Sequence, residues 1–362
     1  MIPVAEPKLG GNELKYVSEC ISSGWISSLG KYIQKFEEEF SNFIGTKYGI
    51  ATSSGTTALH LALEIFGIGK EDEVIIPSLS FIATANSVEY SGAKPVFVDS
   101  EPRTWNIDPS LIEKNITKRT KAIIPVHLYG HPADMGSIID LAKEHNIVVI
   151  EDAAEAHGAE YKKKKVGSLG DVGCWSFYGN KIITCGEGGM ITTNNEEVME
   201  KAILLRDHGM SKEKRYWHPQ IGYNYRMTNM QAAIGLAQVE KIEEYIAIRR
   251  KNANIYNKLL EDNKNITLPI EMEWAKNVYW LYSILVDKIP RDEFARILLE
   301  NEIDTRPFFI PIHLQPPYEK YGKKRLSVAE DLAKRGISLP SAPTLKRDQI
   351  EYICGIINEA LS

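Results

Sequence analysis

The chain has 362 residues, 43% hydrophobic and 25% charged, a composition that belongs to folded proteins and excludes a disordered one. Its 43 Lys and Arg stand against 48 Asp and Glu, so the net charge of −5 leaves no basic excess for nucleic-acid phosphates. No apolar run approaches the roughly 20 residues of a membrane helix, and no apolar stretch follows Met1 as in a secretion signal.

Cys20, Cys174, Cys185 and Cys354 form no CxxC pair, and together with the missing signal they read as thiols of a cytoplasmic protein. A length of more than twice the usual ~150-residue domain predicts two domains.

In chain order, helices are expected at 11–22 and 31–43, separated by the glycine-bounded segment 24–30. From residue 47 to 194, apolar β-branched runs at 48–51, 73–76, 95–99, 122–127, 148–152, 173–177 and 189–193 read as strands. Helical patterns at 57–66, 82–90, 135–145 and 196–206 lie between several of them. This alternation predicts an α/β fold whose largely parallel sheet is covered by helices on both faces. The lysine run 162–165 reads as a solvated hairpin tip. His127 and His131 flank a Tyr129-Gly130 turn without a carboxylate pair, so no metal site is expected there. One long helix is expected from the N-cap Thr228 through Leu260, with a domain boundary inside it near 245. That gives a large domain over 1–245 and a smaller α+β domain over 246–362, with a strand at 279–286 and helices at 291–300 and 347–360.

Neither GxGxxG after a strand nor GxxxxGK[ST] occurs, which removes support for dinucleotide and P-loop sites. Three strand-end segments remain. Thr52-Ser53-Ser54-Gly55-Thr56-Thr57 opens an apolar helix, where backbone N–H groups and the dipole favour an anion, although a capped helix alone has the same pattern. The strand 148–152 runs into Glu151-Asp152, followed by Glu155 and His157; strand C-termini are where open α/β sheets bind ligands, and a structural ion pair is the alternative. Lys181, in Ser176-Phe177-Tyr178-Gly179-Asn180-Lys181, sits among apolar and glycine residues, where a dry pocket would free its amine as a nucleophile and a snorkelling lysine is the plainer option. A phosphate cradle, a carboxylate for a ring nitrogen and a lysine amine are together the protein's share of a pyridoxal 5'-phosphate (PLP) site.

The ordered set 53–59, 151–158, 176–181, 186–190 and 222–227 resembles the DegT/DnrJ/EryC1/StrS family of sugar-nucleotide aminotransferases over nearly the whole chain. That resemblance implies the type I PLP-dependent aminotransferase fold, with a mainly parallel seven-stranded sheet. It also implies that Lys181 carries the cofactor and shuttles a proton, and that Asp152 binds the pyridine nitrogen. Thr56, Thr57 and Ser176 would hold the phosphate, Gly55 and Glu155 would also contact the cofactor, Phe81 would stack on the ring, and Asn224 would reach the phosphate of a neighbouring subunit in a homodimer. Glu155 stands where many relatives have glutamine, and beside an oxyanion its pKa would rise. Segments 126–130, 180–184 and 215–217 look most like the perosamine-forming branch, implying L-glutamate as amino donor and a GDP-linked 4-keto-6-deoxy sugar nucleotide as acceptor. UDP- or dTDP-linked keto sugars are alternatives. Trp25, Arg215 and His313 are candidates for substrate contacts. Retention of Lys181 argues against the related sugar dehydratases, whose members typically carry histidine there, and retention of Asp152 and Ser176 with it argues against a non-catalytic regulator.

Overall fold

The apolar runs between residues 48 and 193 pair into one seven-stranded sheet in the computed structural model, which describes residues 1–321 and 325–362. Its strands are β1 (Tyr48–Thr52), β2 (Glu73–Pro77), β3 (Lys94–Val98), β4 (Thr120–Ile123), β5 (Val148–Asp152), β6 (Val172–Ser176) and β7 (Gly189–Thr193). They lie in the order β1-β7-β6-β5-β4-β2-β3. All pairs among β2 to β6 are parallel, while β7 runs antiparallel to both of its neighbours. Strand β4 is shorter than expected because Pro125 offers no N–H; beyond it only the bridge of Val126 to Asp152 continues.

The helices of the large domain are α1 (Glu13–Ser23), α2 (Lys31–Ile44), α3 (Gly55–Ile65), α4 (Ala83–Tyr90), α5 (Met135–His145), α6 (Glu196–Arg206) and α7 (Asn229–Val239). Alternate strand residues face opposite ways, and the two apolar layers show it. Val74, Ile76, Ala122 and Ile150 join one core with Phe36, Phe40 and Leu59, whereas Ile75, Ile123 and Val149 join another with Met135, Ile138 and Ala142. The expected lysine hairpin is present, with Lys162 and Lys163 both at positive φ (47° and 67°), as a two-residue turn requires.

The single helix expected over 228–260 is two. Backbone at Lys241 (φ −115°, ψ 0°) leaves the helix after α7, and α8 (Ile242–Leu260) follows. Ile242, Tyr245 and Ile246 of α8 pack in the core of the large domain, and Ala253, Tyr256 and Leu260 in that of the small one. The small C-terminal domain has a four-stranded sheet built around Tyr282–Val286 and Gly336–Leu339, with α9 (Arg291–Glu300) and a terminal helix, Arg347–Ala360, completing its core. The strand expected from 279 begins at Tyr282, because Tyr279 adopts φ 47° and leaves the extended region. At the other end of the chain, Ile2 bridges Ile303, tying the N-terminus to this small domain. All four cysteines are buried and free, and among the described residues no helix is long and apolar enough to cross a membrane.

Candidate active site

Strands β1, β5 and β6 run in the same sense, so their C-terminal ends gather on one edge of the sheet. There a cavity of about 340 Å³ opens, lined by residues that include Gly55, Thr56, Phe81, Asp152, Glu155, Ser176 and Lys181. Three segments far apart in sequence are thus brought together, as a parallel sheet does with its strand ends.

The first wall is the start of α3. Ser54 is its N-cap, and the Ser54 hydroxyl accepts the Thr57 N–H at 3.2 Å while Thr57 Oγ1 accepts the Ser54 N–H at 3.0 Å. Thr57 is therefore committed to the capping box and does not line the cavity; Ser54, Gly55 and Thr56 do. A Cβ on Gly55 would stand 2.7 Å from the Cβ of Ser176, so only glycine lets the helix start come this close to β6.

Asp152, the last residue of β5, is buried, and its Oδ2 accepts the Thr84 hydroxyl at 2.7 Å. Burial pushes its pKa up, opposed by that hydroxyl, the Ala154 N–H and the charge of Lys181. Thr84, the second residue of α4, had no sequence signal beyond its place after Phe81. Glu151 points to the other face, where it accepts N–H bonds from Gly167, Leu169 and Gly170, each at 2.7 Å, and contacts His127 Nε2 at 3.0 Å. Glu151→Ala would strand the buried Gly167 N–H and His127 and unpair the partly buried Leu169 and Gly170 N–H groups, and a loss of about 3–5 kcal/mol in urea unfolding is the expected result.

Glu155 is also buried, with Oε2 accepting the Tyr129 N–H at 2.8 Å. That contact is made by a backbone in the left-handed region (Tyr129 φ 53°, ψ 16°), while the Tyr129 hydroxyl accepts the Phe309 N–H at 3.2 Å and its ring stacks on that of Phe309. Burial raises the Glu155 carboxyl to about 7, against the pull of Lys181. This rise comes from burial, not from the neighbouring oxyanion that the sequence suggests.

A carboxyl raised in this way binds its proton more tightly when folded than when unfolded. Its contribution is then greatest below the ordinary value of 4.5 and is lost as pH rises through about 7. In cofactor-free protein, Glu155→Gln should flatten this loss and gain up to about 3 kcal/mol over the parent at pH 8, with little gain at pH 4, measured by urea unfolding.

Lys181 is half-buried at the cavity wall, its Nζ 3.8 Å from the centre of the Trp280 ring. Burial lowers its pKa, partly offset by Glu155 and Asp152. Trp280 and Phe309 come from the chain beyond α8 and line the cavity, a contribution with no local sequence mark. His157 lies outside the cavity, fully buried against Phe40, Trp175 and Phe177, and burial holds it neutral with a pKa near 3.

The remaining candidates are elsewhere. His313 is buried, its Nδ1 2.6 Å from Ser78 Oγ, and does not line the cavity. Trp25 lines a separate cleft beside α1, and Arg215 stacks over Tyr216 on the surface. Asn224 is exposed and accepts an Arg226 N–H at 3.1 Å.

The cavity fits PLP on its own chemistry. A helix N-terminus freed of side-chain bulk by Gly55 suits a phosphate, the buried Asp152 suits a ring nitrogen, and an amine with lowered proton affinity suits an aldehyde. Comparison with known proteins agrees. A GDP-perosamine synthase of Escherichia coli O157:H7 is 49% identical over 363 residues, covering 100% of this chain and 99% of that protein. The solved structure of an aminotransferase from Psychrobacter cryohalolentis superposes with a TM-score of 0.94 at 34% identity, covering 98% of both chains. That of Spr1654 from Streptococcus pneumoniae in its PLP form gives 0.94 at 26% identity over 100% of both. PLP is the cofactor, and the fold is that of the PLP-dependent aminotransferases. Residues 7–358 match the DegT/DnrJ/EryC1/StrS aminotransferase family, to which this chain belongs.

Proposed function

We propose that this aminotransferase moves the amino group of L-glutamate to GDP-4-keto-6-deoxymannose, giving GDP-perosamine for a surface polysaccharide such as an O-antigen, in the cytoplasm. The observation that carries this reading is the end-to-end 49% identity to a GDP-perosamine synthase. Bound PLP supplies an aldehyde that accepts an amine and a ring that takes up the electrons released when a carbon–hydrogen bond breaks. Lys181 Nζ anchors the cofactor between turnovers and, when free, takes and returns the proton at the substrate carbon that bears nitrogen. Asp152 would keep the pyridine nitrogen protonated, Phe81 would pack against the ring, and Ser176, Thr56 and the start of α3 would hold the phosphate. Trp280 and Phe309 keep bulk water from the amine.

A homodimer completes the arrangement in this reading. Trp25, Leu29, Tyr216, Trp217 and Ile221 are each at least 55% exposed, large apolar side chains that a second copy would cover. Asn224, which makes no contact with its own cavity, would then reach the partner's cofactor, and Trp25 and Arg215 would reach its substrate. The division between the domains falls inside α8, near residue 245.

Purified protein with PLP, L-glutamate and GDP-, UDP- or dTDP-linked 4-keto-6-deoxy sugars, assayed side by side, tests the reading. An aminated GDP-sugar supports it. Product from only a UDP or dTDP sugar moves the assignment to that nucleotide, and no product from any of them overturns it.

A further inference from the structure

Trp280 is fixed from two sides, and both fixings converge on the lysine. Its indole N–H donates to the Asn180 carbonyl at 2.8 Å, so it grips the residue immediately before Lys181. Its own carbonyl accepts from Arg249 at 2.8 Å, and the same guanidinium nitrogen donates to the Ser341 carbonyl at 2.8 Å. Arg249 is buried in the middle of α8, and neither of these partners is acidic. An arginine placed this way fixes backbone geometry rather than balancing a charge. Between these two anchors the indole face lies under the Lys181 amine, with Nζ 3.8 Å from the ring centre. A cation within about 6 Å of an indole face is attracted by the ring's quadrupole, more strongly when water is excluded.

We propose that Trp280 is the positioning residue for Lys181, its indole face holding the protonated amine inside the cavity while that amine is not bonded to the cofactor. The proposal rests on Lys181 being the cofactor-bearing lysine. The carboxylates of Asp152 and Glu155 also favour the protonated amine, and Glu187 lines the same cavity. Their attraction has little direction. A ring fixed at both ends favours one position, so the amine returns to the reacting carbon without searching its rotamers. Arg249 acts one step further back, through the Trp280 carbonyl.

Two full-chain variants separate the ring from its anchor. Trp280→Leu keeps an apolar cover and removes the π face, whereas Trp280→Phe keeps a weaker face and loses the bond to Asn180. In cofactor-free protein, acetic anhydride acetylates only the unprotonated amine, so Lys181 modification followed against pH by peptide mass mapping reads its proton affinity. The expected result is an apparent pKa lower by roughly half to one unit in Trp280→Leu, with Trp280→Phe in between. Turnover in Trp280→Leu should fall about tenfold, with KM for glutamate unchanged. An unchanged or raised amine pKa in Trp280→Leu overturns the proposal, as does a loss confined to KM. If Trp280→Leu fails to fold, Trp280→Phe decides by the same titration: a partial fall supports the role and no fall ends it. Borohydride reduction of parent protein loaded with PLP keeps the two questions apart. A label on Lys181 with an unmoved titration rejects only the Trp280 role, and a label on another lysine rejects the reading of the site.

Discussion

Lys181→Ala is expected to lower turnover by roughly 10³-fold or more, because one amine serves both to anchor the cofactor and to move the proton. Deleting it also removes a half-buried amine whose protonated form is disfavoured in that cavity, so the fold should not suffer in step with the activity. Asp152 and Glu155 lose their nearby positive charge and should bind protons more readily, which leaves the cavity neutral rather than doubly negative. Thermal unfolding close to that of the parent, with activity gone and no borohydride-fixed label, is the outcome that matches this account. Activity within tenfold of the parent would transfer the chemistry to another residue.

Asp152→Asn should be the second most damaging change, lowering turnover by roughly 10²–10³-fold. The substitution preserves shape, and its amide oxygen can still accept the Thr84 hydroxyl, so the loss is one of charge. Without that charge nothing keeps the ring nitrogen protonated, and the ring takes up electrons less readily. Stability should move the other way or not at all, since burying a carboxylate is itself costly. Turnover and urea unfolding measured on the same preparation separate the two effects. A parallel fall in both would mean that Asp152 is structural.

Seven strands and most helices of the large domain were legible because a buried parallel sheet writes each strand as an apolar run next to a helical period. The same locality made Gly55, Asp152, Ser176 and Lys181 readable, since each ends or follows a strand and the sheet brings those ends together. Legibility ended where the deciding contact was distant. Thr57 has the residue type of a phosphate ligand, yet its hydroxyl is taken by the helix cap, and only the hydrogen bonds distinguish the two uses. His313 has the residue type of a substrate contact, but it sits buried beside Ser78, outside the cavity. Trp280 and Phe309 arrive from about 100 residues or more further along the chain, so nothing near Lys181 in the sequence announces them. The break at Lys241 occurs without proline or glycine, and helical periodicity alone runs across it.

The grip on Glu155 comes from the main-chain N–H of Tyr129 rather than from a side chain. Every amino acid except proline can supply that donor, so drift at position 129 leaves the acid held while its ring is exchanged for other shapes. The left-handed backbone there costs on the order of 1–3 kcal/mol, a standing charge that glycine or asparagine would relieve. Descendants of such a scaffold can therefore reshape the contact with Phe309, and with it the mouth of the cavity, without disturbing the buried acid beneath.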